Sequence, residues 1–368
     1  MKEIDTKGKT VLVRADLNVP IKEGKVTSDL RIKASVPTIE YLRGQGAKVV
    51  VISHLGRPEG KASKEMSLLP VAERLREILA GGAAGEPGGA EKVKNVVKFV
   101  PETTGEKVQE AVMKLKPGEV LLLENLRFDP REEENDEGFA KEIIEATGAE
   151  VFVQDGFAVV HRAHASTDAI ARLVPSVAGL LLEKEVATLT EVMERPEHPV
   201  VIVIGGSKVE DKQPLIEKFL GTADKILVGG KIAADVYTPS NTAGEKIYVA
   251  EDFDEDATGA RLDIGPVSTA KFAEAIVDAK TVIWNGALGK VEDPAYDAAS
   301  AIVATVMGEK RDATTVVCGG DTTGFVEKMQ EAHPGLSFSL VSTGGGAALE
   351  FLLGKKLPGI EVLAQNKP

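Results

Sequence analysis

Arg14, Asp16, Asn18, Arg31, His54, Arg57, Arg127 and Arg162 stand in the first half of the chain, at the ends of separate apolar runs or in the loops that follow them. Guanidinium forks bind carboxylate and phosphate through paired hydrogen bonds, and Asp16 and Asn18 can accept hydrogen bonds from a hydroxyl. A lone arginine is ordinarily a solvated surface cation. A set converging from several strand ends makes a pocket, and this one suits a small hydroxy-acid phosphate. His161 and His164 frame Arg162 and are expected to be structural histidines with satisfied hydrogen bonds.

The second half carries different chemistry. Val200–Ile204 runs into Gly205-Gly206, Ile226–Val228 into Gly229-Gly230, Thr314–Val317 into Gly319-Gly320, and Ser337–Val341 into Gly344-Gly345-Gly346. Glycine after a strand lets backbone approach a ligand, and the following helix start presents partial positive charge. One such turn is usually structural; their repetition favours a phosphate site. In GGSKVEDK (205–212), Lys208 and Lys212 are four apart and expected on one face of a helix's first turns. Cations are unfavourable at a helix amino end unless an anion joins them, so phosphate is the expected partner. Asp321 follows Gly319-Gly320; it either caps a helix or, beside polyphosphate, holds Mg²⁺. Trp284 is expected in the core, with Asn285 offering a neutral donor and acceptor. Neither a GxxxxGK[ST] loop nor an HRD/DFG kinase set occurs.

Strand-like runs alternating with amphipathic segments signal βα units and a parallel sheet. The first-half runs are Thr10–Arg14, Lys48–Ile52, Glu119–Leu123 and Glu150–Val153. Ligands of such sheets bind beyond the carboxyl strand ends. Two facing sites are therefore expected, one cationic and one glycine-lined, as in an enzyme joining a small anion to a nucleotide.

A chain of 368 residues suggests two domains. A formal charge of −13 and 4% aromatics argue against a nucleic-acid binder. Cys318 is the single cysteine, which excludes an internal disulfide or cysteine-based zinc site and fits a reducing compartment. The opening MKEIDTKGK has no signal-peptide core, and the longest apolar stretches, such as Val177–Leu182, are too short for a bilayer. A soluble cytoplasmic protein is expected.

Ser67–Leu79 has helical spacing, Gly81–Gly89 reads as a loop, and the acidic run Glu132–Asp136 reads as the solvated start of a helix over Glu137–Ala146. Asp168–Val192 reads as one long helical stretch interrupted near Pro175, serving as connector and hinge. The tail after Leu349 is expected to return to the first half.

These residues lie in VLVRADLNVP (11–20), SHLGRP (53–58), LLLENLRF (121–128), HRAHAST (161–167), GGSKVEDK (205–212), LDIGP (262–266), WNGALG (284–289), GGDTTG (319–324) and STGGGAALE (342–350). In these motifs the chain closely resembles phosphoglycerate kinases, nearly end to end. The resemblance implies an α/β fold of two doubly wound, Rossmann-like parallel-sheet domains joined by a hinge helix, with the C-terminal tail returning to the first domain. It implies residues 1–170 with 355–368 for 3-phosphoglycerate and 171–354 for Mg-nucleotide. Matched by position, Asp16, Leu17, Asn18, Arg31, His54, Leu55, Gly56, Arg57, Arg127 and Arg162 would hold 3-phosphoglycerate. Gly205, Lys208, Lys212, Gly229, Asn285, Glu292, Gly319, Gly320, Asp321, Thr322, Gly344, Gly345 and Gly346 would face the nucleotide, Glu292 at the ribose and Asp321 at Mg²⁺.

The implied reaction is reversible phosphoryl transfer from 1,3-bisphosphoglycerate to ADP, with domain closure and with Arg31, Lys208 and Lys212 as the catalytic cations. The expected partners are these small molecules, without nucleic acid or membrane, and the expected state is a monomer. Three departures stand out. The stretch between Gly230 and Asp263 is shorter than the family's, Arg261 replaces a glycine of the adenine slot, and the family's GGGDT reads Cys318-Gly319-Gly320-Asp321-Thr322. The base preference therefore stays open. The rival readings are a dinucleotide-fold dehydrogenase, disfavoured because no strand–GxGxxG–helix fingerprint occurs, and a nucleotide sensor of the same fold without turnover.

Overall fold

Runs rich in Val, Ile and Leu that are buried on both faces form parallel sheets, because only helices covering each face can shield them. The computed structural model describes residues 1, 4–81, 96–235 and 246–366. It divides into two compact units, Met1–Lys184 with Lys356–Pro368, and Glu185–Lys355.

In the first unit, β1 (Thr10–Arg14), β2 (Lys48–Ile52), β3 (Val97–Val100), β4 (Val120–Leu123), β5 (Val151–Gln154) and β6 (Ser176–Ala178) form one sheet. Its order is β3-β4-β2-β1-β5-β6, parallel throughout. Helices α1 (Leu30–Gly44) and α2 (Leu69–Leu79) bury Ile39, Leu42, Leu75 and Leu79 against Val11, Val13, Val49 and Val51. Helices α3 (Glu106–Met113) and α4 (Glu137–Thr147) come next. Asp136 caps α4 by accepting the Phe139 N–H at 2.6 Å, and Gly148 ends it in the left-handed region.

The stretch Asp168–Val192 is not one helix. Ala165–Ala169 and Ile170–Arg172 are short helical turns, Ser176–Ala178 is an edge strand paired to Phe152–Gln154, and only α5 (Leu180–Glu194) is a regular helix. Pro175 disfavours helical geometry before it and cannot donate within one. Asp155 Oδ1 accepts the Leu181 N–H at 3.1 Å and the Thr38 hydroxyl at 2.7 Å, tying the start of α5 to the first unit. Farther along, the buried Glu185 carboxylate accepts from Ser342 Oγ, Thr343 N and Thr343 Oγ1 of the second unit.

The second unit repeats the plan. Strands β7 (Val200–Ile204), β8 (Lys225–Val228) and β9 (Ile247–Val249) precede an antiparallel hairpin of β10 (Phe253–Glu255) and β11 (Arg261–Ile264). Strands β12 (Thr281–Asn285), β13 (Thr314–Cys318) and β14 (Leu340–Val341) complete a parallel sheet ordered β9-β8-β7-β12-β13-β14. The last strand is shorter than Ser337–Val341. Ser339 and Thr315 exchange backbone-to-hydroxyl bonds where ladder bonds would otherwise run. The helices are α6 (Val209–Phe219), α7 (Gly230–Asp235), α8 (Pro266–Val277), α9 (Ala298–Glu309), α10 (Gly320–Ala332) and α11 (Gly346–Leu352). Trp284 is fully buried in this unit's core, as its sequence position suggested.

Helix α12 (Pro358–Gln365) belongs to the first unit, where Asn366 Nδ2 donates to Ala171 and Val174 carbonyls. Apart from Gly81, the expected loop Gly81–Gly89 lies outside the described residues. No described helix is long and apolar enough to cross a membrane.

Candidate active site

Beyond the carboxyl ends of β1, β2 and β4, one hydrogen-bonded scaffold joins the first-unit motifs. Asn18 Oδ1 accepts the Gly56 N–H at 2.9 Å, and the Gly56 carbonyl accepts from Arg127 Nη1 at 2.8 Å. Arg31 Nη1 lies 2.9 Å from Asp16 Oδ2 and donates to the Asn18 carbonyl at 3.0 Å. Asn125, in the LLLENLRF segment, was not singled out from sequence. Its Oδ1 accepts from Leu55 N and Arg127 N, while its Nδ2 donates to the Leu55 and Met66 carbonyls.

The cations press on one another. Burial lowers the Arg127 pKa, Glu133 opposes this, and Arg162 and Arg57 lower it further. Burial, with Arg14, Arg127, Arg31 and His164, holds His54 well below the usual histidine range. Arg31 pairs with Asp16 and Arg127 with Glu133 (3.2 Å), whereas among the described residues neither Arg57 nor Arg162 has a carboxylate partner. A cluster of mutually repelling guanidiniums, two of them without a carboxylate partner among the described residues, has the chemistry to take an anion.

Several expected residues have other places. Leu17 and Leu55 are core side chains, and their amides already donate to Ser53 Oγ and Asn125 Oδ1. Arg14, expected in the pocket, is fully buried. It donates to Ser166 Oγ (2.7 Å), the Ala15 carbonyl (2.6 Å) and His54 Nδ1 (3.2 Å). Glu132 is not solvated either; it is 0% exposed and takes the Ser166 N–H and hydroxyl at 3.0 and 2.5 Å. Burial raises its pKa against the pull of Arg14 and Ser166. An acidic run hides this buried member, because charge composition does not report where the turn Pro130–Glu132 aims one carboxylate. His161 takes the Arg162 Nε–H at 3.1 Å. His164 is not satisfied: its Nδ1 has no hydrogen-bond partner among the described residues, and burial with neighbouring cations lowers its pKa to about 4.

In the second unit, strand order reverses between β7 and β12, where open α/β sheets leave a crevice. A cavity of about 470 Å³ lies there, lined by Gly206, Lys208, Lys212, Gly286, Glu292 and Arg261, and by Gly319–Thr322. The backbones of the two turns interlock. Gly205 donates to the Asn285 carbonyl, and a Cβ on Gly205 would lie 2.2 Å from the Ala287 oxygen. Gly205 and Gly229 thus serve close packing, with both amides already used. Neither they nor Gly344, Gly345 and Gly346 line the cavity.

Free donors come from α10. Its first backbone bond is Thr323 N–H to the Gly319 carbonyl, so the amides of Gly320, Asp321 and Thr322 are the open ones of that helix end. Asp321 makes no side-chain cap. Lys212 sits in the first turns of α6 and donates to Asn285 Oδ1. Burial lowers its pKa, opposed by Asp211, Cys318 and Asp321. Lys208 precedes the helix in extended backbone, so the two lysines do not share its face as expected. Asp211 also lines the cavity, a role its place between two lysines did not reveal. The Arg261 guanidinium lies 4.7 Å from the Phe253 ring centre and 3.6 Å from Glu255, and Arg261 lines the cavity together with Leu262 and Glu292.

Asp321 and Asp211 are carboxylates on this wall, and Thr322 Oγ1 is a buried hydroxyl without a protein partner among the described residues. Few oxygen donors beside two lysines fit a hard divalent cation that draws most of its shell from substrate and water.

The family model described as phosphoglycerate kinase matches residues 1–252 and 232–355, two pieces that overlap over residues 232–252. Phosphoglycerate kinase of Moorella thermoacetica is 39% identical over 408 aligned positions, covering 100% of this chain and 99% of the relative. That of Fervidobacterium nodosum is 41% identical over 414, covering 100% and 98%. Among solved structures, phosphoglycerate kinase from Coxiella burnetii matches with a TM-score of 0.77 at 34% identity, covering 100% of this chain and 99% of that one. The one from Pyrococcus horikoshii OT3 matches at 0.81 and 28%, covering 99% and 98%.

Proposed function

The chain belongs to the phosphoglycerate kinase family, and from that premise we propose how its residues divide the work. The enzyme transfers a phosphoryl group reversibly from 1,3-bisphosphoglycerate to ADP, giving 3-phosphoglycerate and ATP; the dehydrogenase and sensor readings are not favoured. Family members use a nucleotide with magnesium.

The acid binds in the first unit. Arg57, Arg127 and Arg162 take its anionic groups, and Asp16 with Asn18 takes its hydroxyl. The observation that carries this assignment is the pair of guanidiniums without carboxylate partners beside the buried Arg127. The nucleotide binds in the 470 Å³ cavity of the second unit, its phosphates on Lys212 and the open amides of α10, its ribose near Glu292. Asp321 would hold magnesium, which when bound neutralises charge on the phosphate oxygens.

No general base is required. The attacking ADP oxygen is already anionic, and a carboxylate is a competent leaving group. The protein therefore contributes positioning and charge neutralisation for an in-line transfer. Arg31 and Lys208 are assigned to the moving phosphoryl group. Acid and nucleotide are assigned to different units, so transfer needs a closing motion about α5, which also excludes water from the acyl phosphate. The protein is taken to act as a cytoplasmic monomer on small molecules.

The test is kinetic. Arg31→Ala and Lys208→Ala are each expected to lower kcat by about three orders of magnitude, as removal of a charge on a transferring phosphoryl group does, with smaller changes in either KM. Near-normal turnover in either variant rejects its assignment.

A further inference from the structure

In the acid pocket the ring nitrogens of His54 can be assigned from the heavy atoms around them. Its Nδ1 lies 3.2 Å from Arg14 Nη2. A guanidinium has donors only, so Nδ1 must offer a lone pair. The competing arrangement, a proton on Nδ1 shared with a carboxylate, lacks a partner. Asp16 Oδ1 is 4.0 Å away and accepts the Asn18 N–H instead, while Asp16 Oδ2 faces Arg31.

Arg14 cannot turn aside. Its Nε donates to Ser166 Oγ and its Nη1 to the Ala15 carbonyl, and Ser166 passes its own hydroxyl proton and N–H to Glu132. Arg14, Ser166 and Glu132 are all 0% exposed. His54 Nε2 has no protein partner among the described residues.

We propose that Arg14 is a positioning residue, anchored through Ser166 and Glu132, that fixes His54 as the Nε2–H tautomer and so presents a single N–H donor to the bound acid. The proposal deepens the pocket assignment above and rests on it for the identity of the ligand, but the tautomer itself belongs to the free protein. Burial and the surrounding cations, which oppose a second proton on the ring, act in the same direction. The residue then hydrogen-bonds a substrate oxygen without serving as an acid or base.

The test is nitrogen NMR of full-length protein labelled with 15N-histidine, with His54→Gln identifying the signals. At pH 7 the expected spectrum has a pyridine-type Nδ1 and a pyrrole-type Nε2 for His54. A pyrrole-type Nδ1, or two equivalent cationic nitrogens, overturns the proposal. In Arg14→Gln, whose amide oxygen can accept from Nδ1, both tautomers should appear. The KM for 3-phosphoglycerate should then rise by the inverse of the Nε2–H fraction, about twofold for equal populations, with the KM for Mg-ATP unchanged. Loss confined to stability, with the wild-type tautomer retained in that variant, also overturns it. If Arg14→Gln does not fold, the wild-type spectrum decides alone. Addition of 3-phosphoglycerate should shift the Nε2 signal. An unmoved signal with the predicted tautomer rejects the pocket assignment and leaves the Arg14 inference standing.

Discussion

Arg57 and Arg127 separate binding from folding. The Arg57 side chain is exposed and has no hydrogen bond or ion pair among the described residues, yet its backbone is fixed at Gly56 by Asn18 on one side and Arg127 on the other. Arg57→Met therefore removes no hydrogen bond or ion pair among the described residues, and its stability should stay within about 0.5 kcal/mol of the wild type. A guanidinium-to-anion hydrogen bond contributes about 1.5–3 kcal/mol. At about 1.4 kcal/mol per tenfold, this is a rise in KM for 3-phosphoglycerate of roughly 10- to 150-fold. Arg162 and Arg127 remain to hold the anion, so the lower part of that range is expected. Arg127→Met differs. It leaves the Gly56 carbonyl and Glu133 without their partner and should also cost about 1–3 kcal/mol of stability. Steady-state kinetics with each substrate varied, beside urea unfolding of both variants, measures all of this. An unchanged KM for 3-phosphoglycerate in Arg57→Met, or its unfolding as early as Arg127→Met, overturns the role given to Arg57.

His164 has a folded pKa of about 4 against an ordinary 6.5, so the native state binds its proton less readily than the unfolded chain. Its stabilising contribution is complete above about pH 6.5 and is lost as pH falls through about 4; His164→Gln should flatten the pH dependence of unfolding across that window. A slope equal to the wild type's would contradict the buried neutral ring. Arg261 lines the proposed nucleotide cavity, and a guanidinium matches the paired acceptors of guanine better than adenine. Arg261→Ala should therefore lower kcat/KM for GDP more than for ADP, and equal losses would remove Arg261 from base discrimination.

Much of this was legible in the chain because parallel strands bury continuous apolar runs and set the residues just past their carboxyl ends along one sheet edge. The cationic residues after β1, β2 and β4 and the glycines after β7, β12 and β13 obey that rule alone. The features that the sequence did not disclose depend on direction. Arg14 ends a strand as the pocket residues do, but its guanidinium turns into the core, where Glu132 and Ser166 meet it. Glu132 looked solvated because its acidic neighbours are. The glycines split likewise: a Cβ clashes at Gly205 with backbone, at Gly229 with Leu288, and nothing crowds Gly320. Spacing cannot tell packing glycines from ligand-facing ones. Helical periodicity over Asp168–Val192 also concealed a three-residue edge strand, too short to register its own alternation.

The acid and the nucleotide are assigned to different units of the chain. A crystal structure of the full chain with 3-phosphoglycerate and a non-hydrolysable magnesium nucleotide tests this assignment most directly. The acid is expected against Arg57, Arg127 and Arg162, and the nucleotide phosphates against Lys212 and the start of α10. Both ligands in one unit, or an acid bound away from those three arginines, would contradict it.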